Sequence, residues 1–535
     1  MQQFTGDKKQ RHGREIWPKF GFLKAAIYVS LLFVHLQSLA LYATENANGM
    51  RTGAEQYARI DYDDDQTKIP VGELLFRPCR IDVGGRTRAL QCARLSVPEN
   101  PSLETSKKIE LFVGRIPAMK QSEATSDPLL FLAGGPGQAA TEAFLFVDRQ
   151  FPELAKTRDF YFVDQRGTGF SSPLRCDNVD TAEPTFDEEK IQQISLHCLQ
   201  SYDADVRVYT TENFVRDLEL LRVTLDIEKW NLFGVSYGTR VGMSYAEFFP
   251  ASVRSMVLDS VVPPQHILGS EVAKQSQRAL DTLIAQCNED ENCATHFPKL
   301  ESALQSYFSL PDNHQLELRF EDLSQGKLDT TIFRKADLLA FIRFSLYAAE
   351  TRATLLTVLN EALVNENYAP LVRARNIILD NLNRGISFGL HYAVTCAEEY
   401  PHIKALVDNG ALDQQGYYLG DSVTDTLLAA CSVWPKALSG VDKKQALVST
   451  IPSLLLAGEF DPITPPDYAR QVSKGLSYSK VLLFKGRAHS VASFGCGPKL
   501  IHQFIDSASV DDLNESCLAR LNTLPIYLNA NGFSP

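Results

Sequence analysis

A serine set between two glycines, Gly234-Val235-Ser236-Tyr237-Gly238, constrains the fold of this chain more than any other stretch. Before it, Lys229-Trp230-Asn231-Leu232-Phe233 is apolar enough for a short buried strand, and after it Thr239 through Phe249 reads as a helix. Strand, tight turn and helix in that order lift a serine hydroxyl above a sheet edge, because the two glycines accept a turn that a Cβ would block. The Tyr237 N–H then faces the same space as Ser236. A bare G-x-S-x-G also arises by chance, so its meaning rests on its surroundings.

Those surroundings alternate between strand and helix. Residues 108–116 read as an early strand, and Pro128-Leu-Leu-Phe-Leu is a buried run that ends at Ala133 and leads straight into Gly134-Gly135-Pro136-Gly137. Such a loop can cradle an anion with backbone N–H groups, and with no Lys-Ser/Thr following it is not a phosphate loop. Beside a nucleophile elbow it occupies the place of the second oxyanion donor, Gly135 or, less well placed, Gly134. A third strand, residues 158–163, runs into Asp164-Gln165-Arg166-Gly167-Thr168-Gly169, which reads as a hydrogen-bonded loop. A helix over 211–226 puts Phe214, Leu218, Leu221 and Leu225 on one face, capped by Asn213 or Thr211. Residues 253–259 form the next strand. The alternation predicts a parallel sheet covered on both faces.

From 264 to 449 the pattern changes to helical stretches at 271–287, 335–349, 353–364 and 369–384, a domain-sized, mostly helical lid. Sheet character returns with Ile451-Pro-Ser-Leu-Leu-Leu-Ala-Gly458, followed by Glu459-Phe460-Asp461-Pro462, and again with residues 479–484, followed by His489-Ser490. An acid after one strand and a histidine after the next complete the order Ser, Asp, His. Ser236 is then the nucleophile, His489 the base, and Asp461 the acid that orients it. Asp461 also suits a turn cap before Pro462, which would leave Glu459 or Asp467 as the acid; the nearest rival histidine is His502. The organisation expected is therefore a leader over 1–40, a loose segment over 41–69, a core over 70–263 and 450–535, and the lid over 264–449.

The leader is basic up to Lys24, apolar from Ala25 to about Leu41, and polar afterwards, the pattern of a secretory signal with Ser38-Leu39-Ala40 at its cleavage site. An uncleaved membrane anchor is the alternative, and the only membrane link expected. The first forty residues hold six basic and two acidic side chains, so the rest of a chain of net charge −12 carries −16. A body so acidic argues against a nucleic-acid partner. Ten cysteines fall into five local couples, Cys79/Cys92, Cys176/Cys198, Cys287/Cys293, Cys396/Cys431 and Cys496/Cys517, which behind a leader favour disulfides and export to a periplasmic or extracellular space. No metal-ligand spacing occurs, and no metal or other cofactor is expected.

Taken together, Gly134-Gly-Pro-Gly137, Asp164-Gln-Arg-Gly-Thr-Gly169, Trp230-Asn-Leu-Phe-Gly-Val-Ser-Tyr-Gly-Thr239, Gly458-Glu-Phe-Asp461-Pro-Ile-Thr464-Pro and Ala488-His489 resemble the α/β-hydrolase peptidases of the proline iminopeptidase and tripeptidyl aminopeptidase kind. The resemblance spans about residues 70–520. It implies an α/β-hydrolase fold with an inserted helical cap. It also implies hydrolysis of peptide substrates near their free amino end, through an acyl-enzyme on a Ser236-His489-Asp461 triad, with Tyr237 and Gly135 binding the oxyanion. Size, cysteines and leader look more like the secreted tripeptidyl branch. Many iminopeptidases have His where this chain has Ala133 and Gly where it has Gln138, so a preference for N-terminal proline does not carry over. A free amino end needs an anion to bind it. Glu398 and Glu399, late in the lid, are candidates, although a solvated acidic pair at a helix end is the commoner fate of such residues. Two rivals share the scaffold: an esterase or lipase-like hydrolase, and a non-catalytic binding protein, which would be expected to have lost part of the triad.

Overall fold

The computed structural model describes residues 58–62, 67–176, 185–322, 327–412, 417–438, 444–529 and 531–532. The leader expected over 1–40 lies outside them. Among the described residues no helix is long and apolar enough to cross a membrane. The strands are β1 (Ala58–Tyr62), β2 (Ile69–Val71), β3 (Leu74–Val83), β4 (Arg86–Pro98), β5 (Lys108–Ile116), β6 (Leu129–Leu132), β7 (Phe160–Val163), β8 (Trp230–Val235), β9 (Val253–Asp259), β10 (Gln315–Asp322), β11 (Lys327–Arg334), β12 (Ser453–Gly458) and β13 (Ser479–Phe484). Eleven of them form one sheet in the order β1-β3-β4-β5-β7-β6-β8-β9-β12-β13, with β2 paired to β3, while β10 and β11 pair with each other. All that follows lies in one compact unit, Ala54–Leu318 with Thr331–Pro535.

From β7 to β13 every neighbouring pair is parallel, as the alternation of strands and helices requires. Successive side chains point to opposite faces. In β6, Leu130 and Leu132 join one buried cluster with Phe214, Leu218 and Val241, while Leu129 and Phe131 join another with Phe144, Ile501 and Phe504. Burying one such side chain contributes about 1.5–3 kcal/mol, so helices Thr211–Thr224 and Tyr237–Phe248 are held on one face and Ala140–Val147 and Gly497–Ser507 on the other.

Three expectations are corrected. Part of the segment 41–69 is ordered: Ala58–Tyr62 pairs antiparallel with β3, extending the sheet through β4 and β5. Thr210 caps the helix at 211, its side chain accepting from Asn213 N. The helix expected over 335–349 ends at Ser345 and the one expected over 353–364 already starts at Ala349, with Ala348 extended between them. Between β9 and β12 helices otherwise dominate. Five disulfides join Cys79 to Cys92, Cys176 to Cys198, Cys287 to Cys293, Cys396 to Cys431 and Cys496 to Cys517.

Candidate active site

The turn from β8 into helix Tyr237–Phe248 is tight enough to exclude side chains on both flanks. A Cβ on Gly234 would lie 2.4 Å from Gly238 O, and one on Gly238 would lie 2.2 Å from Leu132 O. Ser236 takes φ 56°, ψ −124°, a conformation that costs a non-glycine residue about 1–3 kcal/mol and persists only when its surroundings enforce it. Its N–H donates to Asp259 O at 2.9 Å. The glycine-rich loop lies alongside, since a Cβ on Gly134 would come within 3.2 Å of Ser236 Cβ. Gly135 and Gly137, with φ of 108° and 107°, let the loop curl there. The serine is partly exposed, and its hydroxyl makes no hydrogen bond among the described residues.

Asp461 sits after β12, fully buried, and each oxygen has its own task. Oδ1 accepts from Ile463 N (3.0 Å) and Thr464 N (2.8 Å), which closes the turn at Pro462. Oδ2 accepts from Thr464 Oγ1 (2.7 Å) and from His489 Nδ1 (2.8 Å). Turn cap and histidine partner, the two readings of Asp461, are both fulfilled by one carboxylate. Burial pushes this carboxyl up, but the adjoining His489 charge, its hydrogen bond and the two backbone donors outweigh burial and hold it below the ordinary range. Burial likewise pushes the His489 ring down, and the Asp461 carboxylate, with Asp259 behind it, outweighs burial and holds the ring above 6.5. The rival acids are engaged elsewhere: Glu459 accepts from Gly486 N and Asp467 pairs with Arg470. His502 faces Asp506.

Asp259, at the end of β9, was not singled out from sequence. It is buried, and its oxygens accept from Val491 N (3.0 Å) and Ala492 N (2.9 Å), while Ser260 Oγ accepts from Ser490 N (2.8 Å). Three successive amides after His489 are thus anchored to the strand beside the one that leads to Ser236. The signal available was an acid closing an apolar strand, Val253-Arg-Ser-Met-Val-Leu-Asp259. A cavity of about 240 Å³ adjoins these loops, lined by Gln138, Val235, Asp259, Ser490 and Ala492 among others.

The lid reaches all three loops. Tyr347, in the break between its two helices, accepts from His489 N at 3.0 Å and sets its ring 5.2 Å from the imidazole. Arg278 Nη2 donates to Asp461 O, and the Arg352 guanidinium lies 4.0 Å over the Phe460 ring. Ser387 N donates to Gly137 O, and His391 Nδ1 donates to Pro136 O at 3.1 Å. Glu398 and Glu399 form neither an open acidic wall nor a solvated pair. Both are buried, and their carboxylates are engaged inside the protein. Glu398 accepts from Thr211 N and Oγ1, and Thr211 Oγ1 meets Tyr237 OH. Glu399 accepts from Arg240 Nη1, from Lys444 Nζ at 2.8 Å and from Leu268 N at 2.9 Å.

Residues 127–300 match the family model described as alpha/beta hydrolase fold, and residues 417–517 match that of TAP-like protein. The chain is 25% identical to serine protease Hip1 of Mycobacterium tuberculosis over 437 residues, covering 76% of this chain and 82% of the relative. It is 33% identical to the tripeptidyl aminopeptidase of Streptomyces lividans over 196 residues, 33% of this chain and 36% of the relative. The solved proline iminopeptidase of Mycobacterium smegmatis aligns at 17% identity and a TM-score of 0.36, covering 77% of this chain and all but 2% of that one, 98%. Sheet order and sequence match define the class, an α/β hydrolase. Within that class the chain is a hydrolase, similar over residues 417–517 to TAP-like proteins and over most of its length to a serine protease.

Proposed function

We propose that this protein is an exported serine aminopeptidase that cleaves peptide bonds near the free amino end of its substrates. The Ser236 hydroxyl attacks the scissile carbonyl carbon as His489 takes its proton, and the oxyanion is held by the N–H groups of Tyr237 and Gly135. Each such donor is worth ~3 kcal/mol in the transition state. His489 then gives the proton to the departing amine, and water releases the acyl group by the reverse sequence. Asp461 keeps the proton on Nδ1, so that Nε2 acts as base, and stabilises the imidazolium that forms. The observation that carries this reading is the 2.8 Å contact between Asp461 Oδ2 and His489 Nδ1, with Thr464 fixing the carboxylate.

A peptide rather than an ester as substrate is supported by the relatives named serine protease and tripeptidyl aminopeptidase. Cleavage at a chain end is supported by the relative named tripeptidyl aminopeptidase, and the lid touches all three loops. Five disulfides support export. Glu399 is not retained as the group for the substrate ammonium, because Arg240 and Lys444 already occupy it. The test is a panel of aminoacyl, prolyl and tripeptidyl amides with free and blocked amino ends, together with matched esters, assayed against wild type and Ser236→Ala. Amides with free ends should be preferred, and Ser236→Ala should lower kcat/KM by at least about a thousandfold. Serine-dependent turnover of esters alone would overturn the reading in favour of an esterase.

A further inference from the structure

Arg343, on the lid helix Lys335–Ser345, is a cation without an anion. Four arginines on or against the lid are engaged: Arg240 with Glu399, Arg375 with Asp337, Arg278 with Asp461 O and Arg352 with Gln286. Arg343 forms no side-chain hydrogen bond or ion pair among the described residues, and its Nε is buried without a partner. Its guanidinium lies 4.9 Å from the centre of the Phe344 ring. A partly buried guanidinium with unused donors is costly, and its planar fork matches a carboxylate in two parallel hydrogen bonds.

Its neighbours locate it over the site. The Phe344 ring is 5.7 Å from Tyr347, whose ring is 5.2 Å from His489. On the other side stands His391, bonded to Pro136 O in the glycine-rich loop. Burial, and after it the charge of Arg343, hold that imidazole low, opposed by its bond to Pro136. Arg343 thus lies on the lid's inner side, between the histidine loop and the glycine-rich loop. Tyr347 ties it to the side of the site where His489 hands its proton to the departing amine.

We propose that Arg343 binds a carboxylate on the leaving part of the peptide, so that the enzyme prefers substrates with a negative charge just beyond the scissile bond. That charge comes from one of two sources: the free C-terminus of a one-residue leaving group, or an acidic side chain on the first leaving residue. The proposal rests on the peptidase reading above.

Two matched pairs separate the sources: tetra-alanine as free acid and as C-terminal amide, and Ala-Ala-Ala-Asp-amide against Ala-Ala-Ala-Asn-amide. In wild type the charged member of at least one pair should have kcat/KM higher by about tenfold or more. Arg343→Gln should bring that ratio close to one, and Arg343→Lys should restore part of it. Since Arg343 makes no hydrogen bond or ion pair among the described residues, the unfolding midpoint of Arg343→Gln should not fall below wild type. Calorimetric binding of the same pairs to Ser236→Ala reads the discrimination without turnover. A binding ratio that depends on Arg343, with no cleavage of any of the four peptides, supports the carboxylate site and removes the peptidase reading. Equal binding and equal turnover within both pairs, or a ratio that survives in Arg343→Gln, overturns the proposal.

Discussion

Replacing Asp259 by Asn separates what the buried acid does for stability from what it does for the histidine loop. Burial pushes the Asp259 carboxyl up to about 6 from an ordinary 3.8, against the backbone bonds from Val491 and Ala492 that favour its charge. At about 1.4 kcal/mol per pH unit, keeping it ionised in the fold at neutral pH costs about 3 kcal/mol. Asn removes that cost. It offers one carbonyl oxygen where two amides each have an oxygen now, so one N–H faces an NH2 group, a loss of about 1–3 kcal/mol. The two effects nearly cancel at pH 7, and the variant should unfold within about 1–2 kcal/mol of wild type there. Because the folded value lies above the unfolded one, the stability contributed by protonated Asp259 is full below 3.8 and is lost as pH rises through about 6. The variant lacks this dependence, so at pH 4 it should be the less stable protein by about 2 kcal/mol more than at pH 7. Activity should not be spared. With the amides after His489 released and the charge behind the ring gone, kcat/KM at pH 7 should fall by about tenfold or more, and its acidic limb should move to lower pH. Urea unfolding at both pH values and a pH–rate profile check this. Wild-type kcat/KM in the variant, or a stability gap that does not change with pH, would refute the reasoning.

Other outcomes follow from the same geometry. His489 is held above 6.5 and acts as a base only when neutral, so wild-type kcat/KM should climb with pH through a midpoint above 6.5; a midpoint below it contradicts the Asp461 pairing. Asp461→Asn should lower kcat by about 10⁴-fold with little change in unfolding midpoint, measured by single-substrate kinetics and circular dichroism. Gly238→Ala, which puts a Cβ 2.2 Å from a strand carbonyl, should cost more than about 3 kcal/mol in denaturant unfolding. Arg240→Met leaves Glu399 buried beside Lys444 alone and should cost about 3–5 kcal/mol, most of it recovered when Glu399→Leu is added; an additive pair of losses would sink that account.

The strands that carry the site were legible because each is a short apolar run closed by glycine or by a charged loop. The runs read at 108–116, 253–259 and 479–484 match β5, β9 and β13 residue for residue. Loops behind them follow from chain order, which is why Asp461 and His489 could be named together before any contact was visible. What escaped depends on distance along the chain. Glu399 looks like surface charge until Arg240, 159 positions away, is seen against it. Asp259 meets its partners 232 and 233 positions later. The antiparallel strands before β5 escaped because β3 and β4 mix exposed polar with buried apolar residues around Pro78 and a Gly84-Gly85 turn, a weaker signal than an unbroken hydrophobic run.

The disulfides close loops of 6 to 35 residues, and each begins and ends within the same part of the chain, before, inside or after the helical insertion. Oxidation therefore hardens the pieces one by one and places no covalent stitch across the seam where the roof meets the sheet. In a setting that forms such bonds, the protein gains resistance to unravelling while the doorway to Ser236 stays governed by noncovalent contacts, which heat, salt or a well-matched peptide can loosen.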